Sequence, residues 1–528
     1  MTALLEADRS LASRLVPAPR RIIGLEGRFV LAPETVIVAK GGVRSEGLDL
    51  AKRLARPTGY ALEVREEAPP GRPAIVLHRD SAWDGADGGE SYLLRVEPGR
   101  IHLEATDREG FLHGFTTLMQ LFPPALFDRR NRGGIEWSAP GVLIEDRPAL
   151  AWRGVMLDTA RHFFPVEFLL RWIELLALHK FNRLHWHLTD DQGWRLEVPG
   201  YPRLAEIAAY RDGTILGHPL ETPDASFDKV PHGGTYTGAD VLKVVDHAHR
   251  HGIVVVPEIE MPGHAQAALA AYPEFGANGT NPAVSGTWGV HSEAFDFREE
   301  TVAFLEDVLA ETLRLFPGRY VHIGGDEVPG ARGSGGRAAG KNGAPLILDR
   351  FMNHFSRFLL ERGRIPLGWD EILEVGGLST EVIPVCWRGG DSVARGLAQG
   401  RNVILAPTSH TYFDHYQSTD RSSEPLAIGG CTTLEKAFRF RIPDQGGFPG
   451  DEGSIIGAQA QLWTEYMPTP AAVEYMALPR LCAFANACWG GAGDDFRSFR
   501  EGLRVHLRRL DCMGYRYRAL DEPLSSER

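Results

Sequence analysis

Two carboxylates stand side by side at Asp326-Glu327, directly after a short apolar run and the pair Gly324-Gly325. Neighbouring carboxylates resist joint ionisation. One of the two is therefore expected to keep a proton near neutral pH, as a general acid must. The glycines let the backbone turn and come close to a ligand. Alone, such a dipeptide is usually an idle, solvated pair. It gains weight from the acids, imidazoles and indoles that recur along the chain. These are Asp158 with Arg161-His162, His185 to Asp190-Asp191, Glu258 to His264, Trp369-Asp370-Glu371, Trp387-Arg388, Tyr412-Phe413-Asp414 and Trp463-Thr464-Glu465.

Three chemistries could use such a set. A metal centre could draw on His185, His187, Asp190, Asp191 and His264. However, His185 and His187 sit two apart on one strand and no thiolate joins them, so no metal is expected. The histidines are expected instead to orient carboxylates, with His185 or His187 as an alternative core residue. A serine or cysteine nucleophile is disfavoured, because the chain has no G-x-S-x-G elbow and Cys386 alternates away from Trp387. Carboxylates with tryptophans and no nucleotide loop describe a carbohydrate site. Acids move protons and bond hydroxyls, and indoles stack on sugar faces. No cofactor is expected.

These groups need elements to bring them together. From residue 151 onward, buried-looking strands alternate with amphipathic helices. Strands are expected over 154–157, 183–188, 253–259, 320–323, 365–368, 382–387, 403–406 and 455–462, with helices over 166–178, 238–251, 298–315, 346–362 and 391–399. That pattern predicts a (β/α)8 TIM barrel, whose chemistry sits at the C-terminal strand ends. Each polar cluster falls at such an end. A doubly wound sheet would call for a Gly-rich turn after its first strand, which is missing. Residues 1–147 read as a small α+β domain with no catalytic constellation, and 148–528 as the catalytic domain. The segment 128–148, basic and rich in Gly and Pro, reads as the linker or connecting hairpin.

Composition sets outer bounds. The chain has 528 residues, 43% hydrophobic and 24% charged, as expected of a globular protein with more than one domain. With 57 Lys+Arg against 69 Asp+Glu, its net charge of −12 argues against nucleic acid or an anionic membrane as partner. No apolar run is long enough to span a bilayer. Five cysteines without CxxC spacing, and no secretory h-region at the start, lead to a cytoplasmic expectation. The oligomeric state is not legible.

The motif His322-Ile323-Gly324-Gly325-Asp326-Glu327 resembles the signature of family 20 glycoside hydrolases, the β-N-acetylhexosaminidases. So do the segments Arg153 to Phe163, His187 to Arg195, Pro257 to His264, Gly368 to Glu371 and Gln461 to Tyr466, in the family's order. The segment before residue 145 is similar to the small α+β domain that precedes that barrel. The resemblance implies an exo-acting retaining hydrolase of terminal β-linked N-acetylhexosamine, GlcNAc with GalNAc as an alternative. Its substrates would be glycans or chito-oligosaccharides. Catalysis would be substrate-assisted, through an oxazolinium. It assigns Glu327 as acid and base, Asp326 to the acetamido N–H, and Tyr412 to the acetamido oxygen. Trp369, Trp387 and Trp463 would wall the pocket, Arg153 would fix the 3- and 4-hydroxyls, and Asp414 and Glu465 would hold the 4- and 6-hydroxyls. Asp191 and His264 would position the acid. For Asp158, Arg161 and Asp190, internal ion pairing is as good a reading as contact.

The chain departs from the family pattern in three places. Glu260 stands where an Asp is usual, which alters how the partner of His264 is held. The loop 329–336 lacks an aromatic residue, and Asn486 replaces a Glu, an expected change of packing. The alternatives are an endo-acting or disaccharide-releasing relative of the lacto-N-biosidase kind and a non-catalytic sugar-binding barrel. The implied closed sugar pocket disfavours the first, and the presence of both carboxylates disfavours the second.

Overall fold

The structure, a computed structural model, describes residues 11–80, 89–131, 133–218, 226–328, 347–442, 453–490 and 495–521. The first domain is one seven-stranded sheet. Its strands are β1 (Arg21–Val30), β2 (Val36–Ala39), β3 (Glu63–Arg65), β4 (Ala74–Arg79), β5 (Tyr92–Glu97), β6 (Arg100–Ala105) and β7 (Ser138–Asp146), in the order β1-β7-β5-β6-β4-β2-β3. Alternation buries Tyr92, Leu94 and Val96 of β5 against α2 (Arg108–Leu121), which brings Phe111, Phe115 and Leu118. The Asp107 side chain caps α2 by accepting the Gly110 N–H. The second helix of the layer, α1 (Arg44–Thr58), packs on β2 and β3.

The segment 128–148, expected as the linker or connecting hairpin, instead contributes a strand to the interior of this sheet. Within it, β7 pairs antiparallel with both β1 and β5. Pro140 and Gly141 hide its alternation in the sequence. Opposite them β1 shifts register between Gly24 and Arg28, and a Cβ on Gly141 would meet the Leu25 and Glu26 carbonyl oxygens at 2.7 and 2.8 Å. Glycine is what lets that bulge close on its neighbour.

The second domain is the expected barrel. Its strands are β8 (Trp152–Asp158), β9 (Arg183–His187), β10 (Val254–Glu258), β11 (Tyr320–His322), β12 (Ile365–Trp369), β13 (Ile383–Cys386), β14 (Val403–Leu405) and β15 (Ile455–Leu462), all parallel and closed into a ring. The surrounding helices include α3 (Val166–Leu178), α4 (Gly238–Arg250), α5 (Glu299–Leu315), α6 (Ile347–Leu360), α7 (Gly390–Ala398), α8 (Arg480–Trp489) and α9 (Phe496–Met513). A capping box between Thr237 and Asp240 starts α4. Register places Asp158 beside His187, His187 beside Glu258, and Glu258 beside His322. Four polar residues thus lie level across four adjacent strands. Among the described residues no helix is long and apolar enough to cross a membrane.

The domains meet through buried charge. Lys180, fully buried, donates to Asp146 at 3.0 Å and to the Tyr92 hydroxyl at 2.9 Å. The Trp489 indole N–H donates to the same Asp146 at 2.9 Å. Beside it, Arg153 bonds Glu90, which also takes His113 at 2.8 Å and Asn182 at 3.0 Å.

Candidate active site

The turn after β11 holds the carboxylate pair in a conformation few residues adopt. Gly324 and Gly325 have φ of +64° and +98°, and Glu327 itself has φ of +50°. A Cβ on Gly324 would lie 1.8 Å from a Glu260 carboxylate oxygen, so only glycine fits. The left-handed Glu327, and His264 with φ of +51°, store backbone strain of order 1 kcal/mol each, and strain of this kind clusters at functional sites. The result splits the pair. The Asp326 side chain is 13% exposed and that of Glu327 is 37% exposed.

One histidine addresses both. His264 Nε2 stands 3.7 Å from Asp326 Oδ2 and 3.6 Å from Glu327 Oε2. Its Nδ1 faces Asp190 at 3.2 Å and Asp191 at 3.1 Å. Asp190 is held in turn by His187 Nε2 at 3.0 Å and by the Arg161 guanidinium at 2.9 Å. Asp191 accepts the Gln266 N–H at 2.9 Å. Behind His187, Glu258 collects His187, His185 at 3.0 Å and His322 at 2.7 Å. The histidines of β9, His185 and His187, and that of β11, His322, thus all lie against the Glu258 carboxylate. Sets such as His185–Glu258–His322 are close enough to share a metal ion.

Charge is distributed unevenly. Burial opposes protonation of His264, but Asp190 and Asp326 outweigh it and raise its pKa well above the usual value. Burial lifts Asp326 to about 6, with Glu327 adding to the shift and His264 opposing it. Glu327 moves the other way. The His264 ring holds it below the usual carboxylate range, against burial. Glu260 is raised well above its usual value, by burial first and then by Asp326. The expectation that one member of the pair carries a raised pKa holds, but in the free protein that member is Asp326 and not Glu327.

Comparison with known proteins decides the family. Residues 150–492 match the model of the glycosyl hydrolase family 20 catalytic domain, and 12–147 match that of the family's domain 2. The chain is 35% identical over 525 residues to a beta-hexosaminidase of Porphyromonas gingivalis, covering 97% of this chain and 65% of that protein. It is 32% identical to a beta-N-acetylhexosaminidase of Cellulomonas fimi, covering 96% of both. The solved family 20 beta-N-acetylhexosaminidase of Streptomyces coelicolor superposes with a TM-score of 0.81 at 30% identity, over 96% of this chain and 97% of that one. A mutant Streptomyces plicatus beta-hexosaminidase, solved with its product GlcNAc, gives the same TM-score and identity, over 96% of each chain. The chain belongs to glycosyl hydrolase family 20.

The family 20 pocket gathers most of the residues singled out from the sequence. Trp369 and Trp463 lie 5.6 Å apart, centroid to centroid, and Trp463 stands edge-on to His187 at 5.0 Å. Trp387 donates to Glu371 at 3.1 Å, and burial, then Asp326, lift Glu371 to about 7. Tyr412 is buried within the field of Asp414 and Asp326 and bonds Trp463. Asp414 is buried and Glu465 half-buried, and both are raised, chiefly by burial, with Glu465 the next cause for Asp414. Asp326 Oδ1, Asp414 Oδ1 and Glu465 Oε2 are buried without a hydrogen-bond partner.

Arg153 is not brought to this pocket. It sits at the start of β8, 1% exposed, and its guanidinium bonds Glu90 and the Leu150 and Lys180 carbonyls at 2.7 and 2.8 Å. That is the opposite end of the barrel. Arg161, beyond the C-terminal end of the same strand, is the arginine the pocket holds. Its guanidinium lies 4.9 Å from the Trp463 ring centroid, 3.5 Å from Asp158 and 2.9 Å from Asp190. The strand-end rule pointed to Arg161, since the expected strand began after Arg153. The 329–336 loop lies outside the described residues. Asn486 is part of the packing, accepting the Ala18 N–H at 2.9 Å.

Proposed function

We propose that the protein is an exo-acting, retaining β-N-acetylhexosaminidase that removes terminal GlcNAc or GalNAc by substrate-assisted catalysis. The observation that carries this reading is the division of the carboxylate pair, with Asp326 enclosed and Glu327 open and one histidine between them. A nucleophile-and-acid pair must reach opposite sides of the scissile bond from about 5 Å apart. Adjacent residues suit another task, in which one protonates the leaving oxygen and the other holds the acetamido group of the same sugar.

In this mechanism Glu327 protonates the glycosidic oxygen as the substrate's acetamido carbonyl attacks the anomeric carbon. Asp326 accepts the acetamido N–H and balances the charge of the oxazolinium, while Tyr412 donates to the acetamido oxygen. Water then opens the ring, giving its proton to Glu327, with net retention. Glu327 needs a proton before the first step. His264 holds one 3.6 Å away, and the water excluded by a bound sugar raises the carboxyl toward it. Trp369, Trp387 and Trp463 supply walls for the ring and the acetamido methyl. Arg161 offers a rigid donor fork to the sugar hydroxyls, the role first given to Arg153. Asp414 and Glu465 close the end of the pocket on the 4- and 6-hydroxyls and favour exo cleavage over disaccharide release. The natural substrate class is a glycan or chito-oligosaccharide, without nucleic-acid or membrane partners. The five free cysteines suit a reducing compartment, and the cytoplasm is the proposed location.

Turnover of an aryl β-GlcNAc by the wild type and by Glu327→Gln tests the assignment. The variant should lose about 10²–10⁴-fold in rate, most on poor leaving groups. An inert wild type, or a fully active variant, overturns it. In Asp326→Ala, inhibition by a thiazoline mimic of the oxazolinium should weaken, and unchanged inhibition would count against the role of Asp326.

A further inference from the structure

A second recess lies at the other end of the barrel. It is a cavity of about 660 Å³ between the two domains. That is the size of a small-molecule site, and such sites favour domain boundaries. The barrel side comes from Ala177 and Leu178 at the end of α3 and from His247, Arg250 and His251 at the end of α4. Those helix ends lead into the first residues of β9 and β10, so the recess faces away from Asp326. The other side is one face of α1, with residues from α2 and the segment after it.

Its charge is opposite to that of the chain. Lys52, Arg53, Arg56, Arg129 and Arg250 line it against Asp49, Asp128 and Glu174, in a protein of net charge −12. Arg53 pairs with Asp49 at 2.9 Å, and Arg129 with Glu174 at 3.0 Å. The Asp128 carboxylate accepts the Arg130 backbone N–H at 2.9 Å. Arg250 pairs with Asp246, which lies outside the lining. The last α4 carbonyls do not need Arg250, because Arg108 donates to His249 O at 3.1 Å and to Arg250 O at 2.8 Å. Lys52 and Arg56, one turn apart on α1, form no ion pair among the described residues, and Arg56 bonds the Arg129 carbonyl at 3.2 Å. On the barrel side, His247 Nε2 is buried without a hydrogen-bond partner, 4.0 Å from a Glu174 carboxylate oxygen. The floor is apolar, formed by Pro57, Met119, Leu126, Phe127 and Met513.

We propose that this recess binds a small phosphate monoester, with the phosphate on Lys52 and Arg56 and the organic body on the apolar floor. A guanidinium fork meets a phosphate through two parallel N–H bonds, and an ammonium adds a point charge. The His247 imidazole supplies a further polar contact. Surface ion pairs such as Arg53–Asp49 are weak enough to reorganise around a stronger anion.

Calorimetry on the full chain, with glucose 6-phosphate, inorganic phosphate and glucose as probes, tests this. The sugar phosphate should bind saturably to one site, weaken as salt is raised, and bind at least tenfold tighter than inorganic phosphate. Glucose should not bind. Lys52→Glu with Arg56→Glu should weaken the sugar phosphate at least tenfold while aryl β-GlcNAc turnover stays at the wild-type rate. Both side chains are exposed, so the fold should tolerate the change. The corresponding double Ala variant gives the same readout if the Glu pair lowers Tm. No saturable binding of the sugar phosphate, or equal affinity in the variants, would overturn the proposal.

Discussion

Two clusters of buried charge, one at the domain junction and one at the pocket, use the same side-chain types to different ends. At the junction, Glu90, Arg153, His113, Asp146, Lys180 and Trp489 satisfy one another. In the pocket, Asp326, Asp414 and Glu465 each bury an oxygen with no partner, and His264 Nε2 has no hydrogen bond. Buried polar groups in a purely structural cluster are paired, because each unpaired one costs about 1–3 kcal/mol. A cluster that leaves several open is built for something that arrives later. Place along the strand separates a structural arginine, Arg153, which bonds Glu90 of the other domain, from a pocket arginine, Arg161, only eight residues further along the chain, which bonds Gln192, Asp158 and Asp190 beyond the strand's C-terminal end.

That contrast can be broken by experiment. The largest effect is expected from Arg153→Met, which strands the Glu90 carboxylate and should cost about 3 kcal/mol of stability, with KM unchanged. A denaturant titration alongside steady-state kinetics reads both. A raised KM with unaltered stability would move Arg153 back to the pocket. Next comes Arg161→Lys, which keeps the charge and loses the fork. It should lower kcat/KM about 10–100-fold at nearly wild-type Tm. A smaller loss would leave Arg161 to the ion pairs alone.

The pH profile sharpens the same point. In the proposed mechanism Asp326 works ionised, and its pKa is lifted to about 6, so kcat/KM for the free enzyme should fall as pH drops through that value. A profile flat from pH 7 down to 5 would contradict the assignment. The smallest effect is on stability. A carboxyl whose folded pKa is raised stabilises the fold below its unfolded pKa, near 4, and that contribution is lost as pH rises through about 6. Asp326→Asn should therefore be more stable than the wild type at pH 7.5, by roughly 1 kcal/mol, while losing activity. At pH 4 the gain should vanish.

Much of this was legible in the chain. The alternation of apolar strands and amphipathic helices specified the barrel, because periodicity reports which face each element buries. Polar clusters at the strand ends specified the pocket, since a parallel barrel presents all those ends on one face. Local signals failed where a residue's neighbours are distant in sequence. The strand β7 was hidden by Pro140 and Gly141, whose fit depends on a bulge in β1 more than a hundred residues earlier. Arg153 looked like a ligand arginine within its motif, and its bonds to Glu90 of the other domain and to the Leu150 and Lys180 carbonyls show otherwise.

The sequence by itself determined the family, the two kinds of domain and the carboxylate pair, since these rest on residue type and spacing. The tertiary structure alone decided which carboxylate holds the higher pKa. Asp326 and Glu327 are adjacent in the chain, so nothing local separates them. Their difference comes from burial, and from a histidine that a third segment of chain, 62 residues before Asp326, sets between them.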